Sequence, residues 1–258
     1  MSNKIKIAII QTSIYWEHTE KNLNKYDLLI EQVEEKTRII LFPEMFNTGF
    51  SMRISKISET MQGKTVSWLK TNAVKKNAAI VASLAIKEGK KVFNRLIWAH
   101  PNGKLDYYDK RHTFTLAGES KFYSKGKTNK VINFMGWKFL PQICYDLRFP
   151  VWSRNTLNYD VLLYIANWPK PRISHWNKLL VARAIENMSY CIGVNIVGKD
   201  IENEYSGDSC VINPNGELCT TKTDKEKIIY CELKKDNVND CRTKLNFLDH
   251  KDDLIINL

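Results

Sequence analysis

Three residues able to do covalent chemistry stand in similar settings along this chain. Glu44 follows the apolar run IILFP, Lys110 follows the aromatic LDYYD, and Cys144 follows FLPQI. Each lies where the chain leaves a run of the kind that forms a buried strand. In an open α/β sheet, functional groups gather beyond the carboxyl ends of the strands, so all three could meet in one pocket. Taken singly they have ordinary explanations: a loop carboxylate, a solvated edge lysine, a small buried cysteine. Taken together they make a chemical unit. A thiolate nucleophile needs a base to form it and a fixed cation to stabilise the oxyanion it creates. The segment PEMFNTGF places Phe42, Pro43, Met45 and Phe46 around Glu44. Those apolar neighbours would desolvate the carboxylate and raise its proton affinity.

The elements that must position these groups read as strand, helix and strand, with hairpins between. KIKIAII (4–10) is an apolar strand, and 19–36 sets Leu23, Tyr26, Ile30 and Val33 at helical spacing. Strand 38–42 follows, then a helix over 62–77 with Val66, Leu69 and Ala73 on one stripe, and a strand over 78–86. The Asn-Gly pair of PNGK (101–104), after the strand 92–100, favours a tight hairpin. Segments 133–146 and 209–218 repeat that hairpin pattern. Strand 160–167, helix 174–189 and strand 190–198 restore the α/β order. This mixture predicts an α/β protein combining parallel units with antiparallel hairpins.

Composition narrows the function classes. With 258 residues, 43% of them hydrophobic, the chain can bury a sizeable core, and no Pro/Ser linker or repeat divides it. No apolar stretch nears the roughly 20 residues of a membrane helix, and the first residues lack the pattern of a signal peptide, so a cytoplasmic protein is expected. Six scattered cysteines, none spaced C-x-x-C, give no sign of a disulfide framework or a zinc site. The net charge of +11 invites a nucleic-acid partner. The lysines, however, are spread along the whole chain without a basic block or an RNA- or DNA-binding signature, so none is expected. G-x-S-x-G and H-E-x-x-H are both absent, which removes the marks of serine hydrolases and zinc hydrolases.

FPEMFNTGF, YDKRHTF and ICYDLRFPVWSRN, in this order, closely resemble the glutamate, lysine and cysteine motifs of the nitrilase superfamily, the carbon-nitrogen hydrolases. The resemblance extends to the amino-terminal KIKIAIIQTSIYWEHTEKN, to ARAIENMSYCIGVN (182–195) and to YSGDSCVINPNGE (205–217). The wording CYDLRFPVWSRN points to an amidase branch similar to bacterial omega-amidases, which hydrolyse the terminal amide of 2-oxoglutaramate or 2-oxosuccinamate. Three ordered motifs are far more specific than a single short signature.

The resemblance implies a four-layer αββα sandwich, one carbon-nitrogen hydrolase domain over 1–258, homodimeric or larger assembly through outer helices, and no cofactor or metal. It implies that Glu44 is the general base, Cys144 the nucleophile that carries a thioester, and Lys110 with the backbone N–H of Tyr145 the oxyanion donors. Glu119, in LAGESKFYSKG, matches a second glutamate that holds the lysine and the substrate. For the small-molecule amide substrate, the loop NWPKPRISHW offers Arg172 to a carboxylate, with Trp168 and Phe46 walling the carbon chain. Arg148 and Asp146 are expected to brace the turn beside the nucleophile. Arg183 and Glu186 read as an ordinary helix-surface pair, on a helix that in the family often forms the dimer face. Tyr205 to Ser209 resembles a loop near the site mouth and receives no catalytic role, and the carboxyl-terminal NFLDHKDDLIINL is expected to reach a partner chain. Nitrilases and other small-carboxamide hydrolases share the same three residues. A basic binding protein on the same fold is the alternative without chemistry.

Overall fold

The structure of the protein, a computed structural model, describes residues 3–253. In chain order the strands are β1 (Lys4–Gln11), β2 (Ile39–Leu41), β3 (Ala79–Glu88), β4 (Lys91–Ala99), β5 (Leu105–Asp109), β6 (Ile132–Phe134), β7 (Trp137–Ile143), β8 (Val161–Ile165), β9 (Tyr190–Val194), β10 (Val197–Lys199), β11 (Glu204–Ser206), β12 (Cys210–Ile212) and β13 (Lys227–Lys234). The helices are α1 (Thr19–Glu31), α2 (Ile54–Ile57), α3 (Lys64–Lys76), α4 (Pro150–Ser153), α5 (Ile173–Asn187) and α6 (Lys235–Leu245). One sheet has the order β13-β1-β2-β3-β4-β5 and the other β12-β9-β8-β7-β6. β1, β2 and β3 run parallel, as do β7, β8 and β9, and the remaining neighbours are antiparallel.

Strand alternation sorts the side chains into layers. Ile5, Ile7 and Ile9 of β1 and Val161, Leu163 and Ile165 of β8 meet in the core between the sheets. Ala8 and Ile10 turn the other way, onto the buried stripes of α1 (Leu23, Tyr26, Ile30) and α3 (Val66, Leu69, Ala73). Leu162 and Tyr164 turn outward onto Trp176, Leu180 and Ala184 of α5. Gly193 in β9 permits that approach, since a Cβ there would fall 2.5 Å from Leu180 Cδ1. The result is the four-layer αββα sandwich. Strands buried on both faces explain why the sequence shows runs such as DVLLYIA in place of alternation.

Several boundaries move. The helix expected over 19–36 stops at Glu31, with Val33 buried beyond its end. The helix expected over 62–77 ends at Lys76 with Asn77 in the left-handed conformation (φ 48°), which asparagine accepts. The strand expected over 190–198 breaks after Val194, and β10 leaves the sheet to pair with β11. β13 and α6 were not expected; β13 alternates weakly because only part of it is covered. Of the carboxyl-terminal tail, Phe247–His250 forms a short 3-10 turn, and its last apolar cluster lies outside the described residues.

Candidate active site

Glu44 sits three residues beyond the end of β2, in a turn where Met45 takes a left-handed conformation (φ 48°) and its N–H donates to Ser83 Oγ at 2.9 Å. The Glu44 carboxylate is almost wholly buried and receives three donors. Lys110 Nζ (2.9 Å) and Asn94 Nδ2 (2.7 Å) reach Oε1, and the backbone N–H of Asn167 (2.9 Å) reaches Oε2. This corrects the expected apolar enclosure. Phe42 and Phe46 point to the outer layer and pack with Tyr26 and Trp68, so polar donors hold the carboxylate itself. Phe46 accordingly does not line the cavity.

Lys110 directly follows β5, and its N–H continues the pairing with β4 by donating to Asn94 O. Two antiparallel steps from β3 to β5 restore the direction of β2, which is why Lys110 emerges at the same sheet end as Glu44. Tyr108, two residues earlier, faces the core between the sheets, and Lys110 shares that face. Its ammonium is buried between two carboxylates, Glu44 and Glu119, the latter at 3.0 and 3.1 Å. Glu119 comes from a short 3-10 turn and also accepts the N–H of Phe114. Burial alone would lower the Lys110 pKa; the charges of Glu119 and Glu44 outweigh it and raise it, so the site holds a permanent cation. For Glu119, burial and the charge of Glu44 raise the pKa despite Lys110.

Cys144 follows β7 and opens a 3-10 turn, Cys144–Arg148, with its own φ at +44°. A non-glycine residue in that region is strained and persists only where its surroundings fix it. Asp146 does the fixing: its carboxylate accepts the N–H groups of Ile143 (3.0 Å) and His112 (2.9 Å) and the Tyr108 hydroxyl (2.8 Å). Arg183 adds a second brace, donating from Nη2 to Leu147 O at 2.7 Å. Arg183 is therefore buried and tied to the Cys144 turn, which corrects the helix-surface expectation; its bond to Glu186 is the outer end of that tie. Burial, then the charge of Glu44, pushes the Cys144 thiol well above the usual thiol range, so it rests protonated.

Glu44, Lys110 and Cys144 line one cavity of about 500 Å³. Tyr145, Trp168 and Arg172 line it as well. Trp168 is fixed by donating from Nε1 to Arg172 O (2.8 Å) and from its N–H to Asn195 Oδ1 (2.7 Å). Arg172 lies over the Phe114 ring, 5.5 Å from its centroid. Arg148, expected to brace the turn, lies over the Trp168 ring at 4.8 Å and joins the cavity wall. Among the described residues, neither guanidinium has a carboxylate within ion-pair distance. Tyr205 lines the mouth, and Gly207 near it packs so closely that a Cβ would stand 2.4 Å from Gln11 Nε2. Sequence reasoning missed Asn94, which reads as one polar residue inside a strand. It also passed over Asn167, whose only signal was its place in the loop after β8.

A buried carboxylate, a fixed cation and a strained thiol at one cavity form a carbon-nitrogen hydrolase site. Residues 6–243 match the carbon-nitrogen hydrolase family, and the chain belongs to it. Omega-amidase YafV of Escherichia coli (strain K12) is 43% identical over 218 residues, covering 84% of each chain. The 2-oxoglutaramate amidase of Bacillus subtilis (strain 168) is 32% identical over 235 residues, 89% of this chain and 91% of that one. Among solved structures, XC1258 from Xanthomonas campestris, a CN-hydrolase superfamily protein with an arsenic adduct in its active site, superposes with a TM-score of 0.96 at 36% identity over the whole of both chains. Nit3 of Saccharomyces cerevisiae, from the nitrilase superfamily, follows with a TM-score of 0.87 at 26% identity over 95% of each. The chain is a hydrolase acting on amides, similar to the omega-amidases.

Proposed function

We propose that the protein hydrolyses the terminal amide of a small 2-oxo acid amide, 2-oxoglutaramate or 2-oxosuccinamate, to the dicarboxylic oxo acid and ammonia. The observation that carries this reading is the pairing, in one cavity, of the Glu44, Lys110, Glu119 and Cys144 group with two guanidiniums, Arg148 and Arg172, that have no carboxylate of their own among the described residues. The catalytic group suits amide cleavage, and the guanidiniums suit the carboxylate at the far end of the substrate. The relatives named omega-amidase and 2-oxoglutaramate amidase support the same choice.

Glu44 takes the Cys144 proton as the sulfur attacks the amide carbonyl. Lys110 and the Tyr145 N–H, in the first turn after the strand, hold the oxyanion. Glu44 returns the proton to the nitrogen, the carbon-nitrogen bond breaks, and ammonia leaves a thioester on Cys144. Water then gives its proton to Glu44 and attacks the thioester, and the acid is released with the thiol restored. Glu119 keeps Lys110 in place throughout. The reading includes a single 1–258 domain, a cytoplasmic setting and a homodimer, supported by the family resemblance.

The test is ammonia release from 2-oxoglutaramate, with glutamine, asparagine and a simple nitrile alongside, for the native protein and Cys144→Ala. Release from the oxo-amide that vanishes in the variant is expected. Cys144-dependent release from a different substrate alone would keep the mechanism and reject the substrate. Arg148→Ala and Arg172→Ala should raise KM for the oxo-amide more than for a neutral amide.

A further inference from the structure

Asn167 stands two residues past β8, whose last residue Ile165 pairs in register with Ile143, the neighbour of Cys144. Its backbone N–H is already committed to Glu44 Oε2. Its side chain is not: the residue is 5% exposed, it lines the cavity, and neither Nδ2 nor Oδ1 has a hydrogen-bond partner. Other buried asparagines near the site spend at least part of their amide on the protein. Asn94 donates to Glu44 and Glu119, and Asn195 donates to the Trp168 and Gly207 carbonyls. A buried carboxamide with an unpaired acceptor and unpaired donors, in a residue lining the same cavity as Cys144, lacks a partner of matching chemistry.

We infer that Asn167 recognises the scissile carboxamide, its Oδ1 accepting an N–H of the group that will leave. This deepens the amide-hydrolase reading above and rests on it. A primary carboxamide is complementary to another, so Nδ2 can serve the same group's oxygen while Oδ1 takes its N–H. Holding one N–H fixes rotation about the carbon-nitrogen bond and turns the nitrogen lone pair toward Glu44, which must protonate it as the bond breaks. A nitrile or an ester has no N–H at that place and leaves Oδ1 unpaired, so Asn167 sets a preference for amides.

The test compares matched pairs that form the same acyl-enzyme: 2-oxoglutaramate with 5-methyl 2-oxoglutarate, and glutaramate with monomethyl glutarate. Asn167→Ala and the near-isosteric Asn167→Leu are measured against the native protein. The amide-to-ester ratio of kcat/KM is expected to fall about 10- to 100-fold, the effect of stranding a polar group of the substrate. Calorimetry in the Cys144→Ala background supplies a second readout, in which Asn167→Ala weakens binding of the amide more than of the acid product. Equal losses for amide and ester, or an unchanged ratio, would overturn the inference. A ratio that falls for the glutaramate pair while the oxo-amide is not hydrolysed would retain Asn167 and reject the oxo acid substrate. Neither turnover nor binding of either amide would overturn both.

Discussion

Glu44 and Glu119 share one ammonium: Lys110 Nζ lies 2.9 Å from Glu44 Oε1 and 3.0 Å from Glu119 Oε2, all three groups buried. Asn94 Nδ2 bridges the same two carboxylates, at 2.7 and 3.3 Å. Two carboxylates, one ammonium and one carboxamide thus form a single buried hydrogen-bonded cluster, whose members cannot be removed independently.

Lys110→Met should therefore affect catalysis and stability together. On the proposed mechanism Lys110 is an oxyanion donor, and its loss lowers kcat by about 10²–10³. Leaving two buried carboxylates without their cation destabilises the fold by about 3–5 kcal/mol at neutral pH. Urea unfolding and steady-state kinetics on the same preparation check both; a catalytic loss without a stability loss would contradict the shared-ammonium description.

The two glutamates should separate in kinetics. On the proposed mechanism, Glu44→Gln removes the proton carrier and lowers kcat by about 10³ or more, whereas Glu119→Gln keeps the shape and alters one of the two groups that hold Lys110, lowering kcat by about 10- to 100-fold. Alkylation of Cys144 by iodoacetamide gives an independent readout. It should slow markedly in Glu44→Gln, because the resting thiol is protonated, and much less in Glu119→Gln.

Phe46 gives a prediction of the opposite kind. It is fully buried against Tyr26, Phe42 and Trp68 on the outer side of the sheet. Phe46→Ala should cost about 3–5 kcal/mol of stability. KM should stay unchanged for protein that remains folded, measured well below its Tm. A raised KM would put the ring back at the substrate.

Asp106 sets an acid limit away from the site. Burial would raise its pKa, but hydrogen bonds from Lys130, His100 and Lys104 together outweigh that and hold it at about 2, against an ordinary 3.8. A depressed folded pKa contributes stability above the ordinary value and loses it as pH falls toward the depressed one. Asp106→Asn should cost about 1–2 kcal/mol at pH 7 and roughly half as much at pH 3. Urea midpoints across that range decide it; a penalty constant with pH would point to packing.

That Glu44, Lys110 and Cys144 follow strand ends, and so could reach one cavity, was legible in the sequence because strand ends can be read from apolar runs. What surrounds them was less so. Phe46 and Glu44 are near neighbours in sequence, yet the turn at Met45 sends one to the outer core and the other to the cavity, and no periodicity reports that turn. Arg183 looks like a surface helix residue until α5 is laid against the sheet, where its guanidinium reaches Leu147 O. Asn94 is neighbour to Glu44 only through the order of β2, β3 and β4, a long-range fact. β13 closes the sheet edge beside β1, some two hundred residues away in sequence, a pairing that local pattern does not announce.

The left-handed backbone at Cys144 bears on any attempt to move this chemistry elsewhere. Copying a glutamate, a lysine and a cysteine into another scaffold would reproduce the functional groups but let the sulfur relax into an ordinary conformation. The transplantable unit is larger: the turn, the Asp146 carboxylate that gathers Ile143, His112 and Tyr108, and the Arg183 tie from the helix behind. In that sense the reactive centre is a property of two sheets and a helix, with three side chains as its visible part.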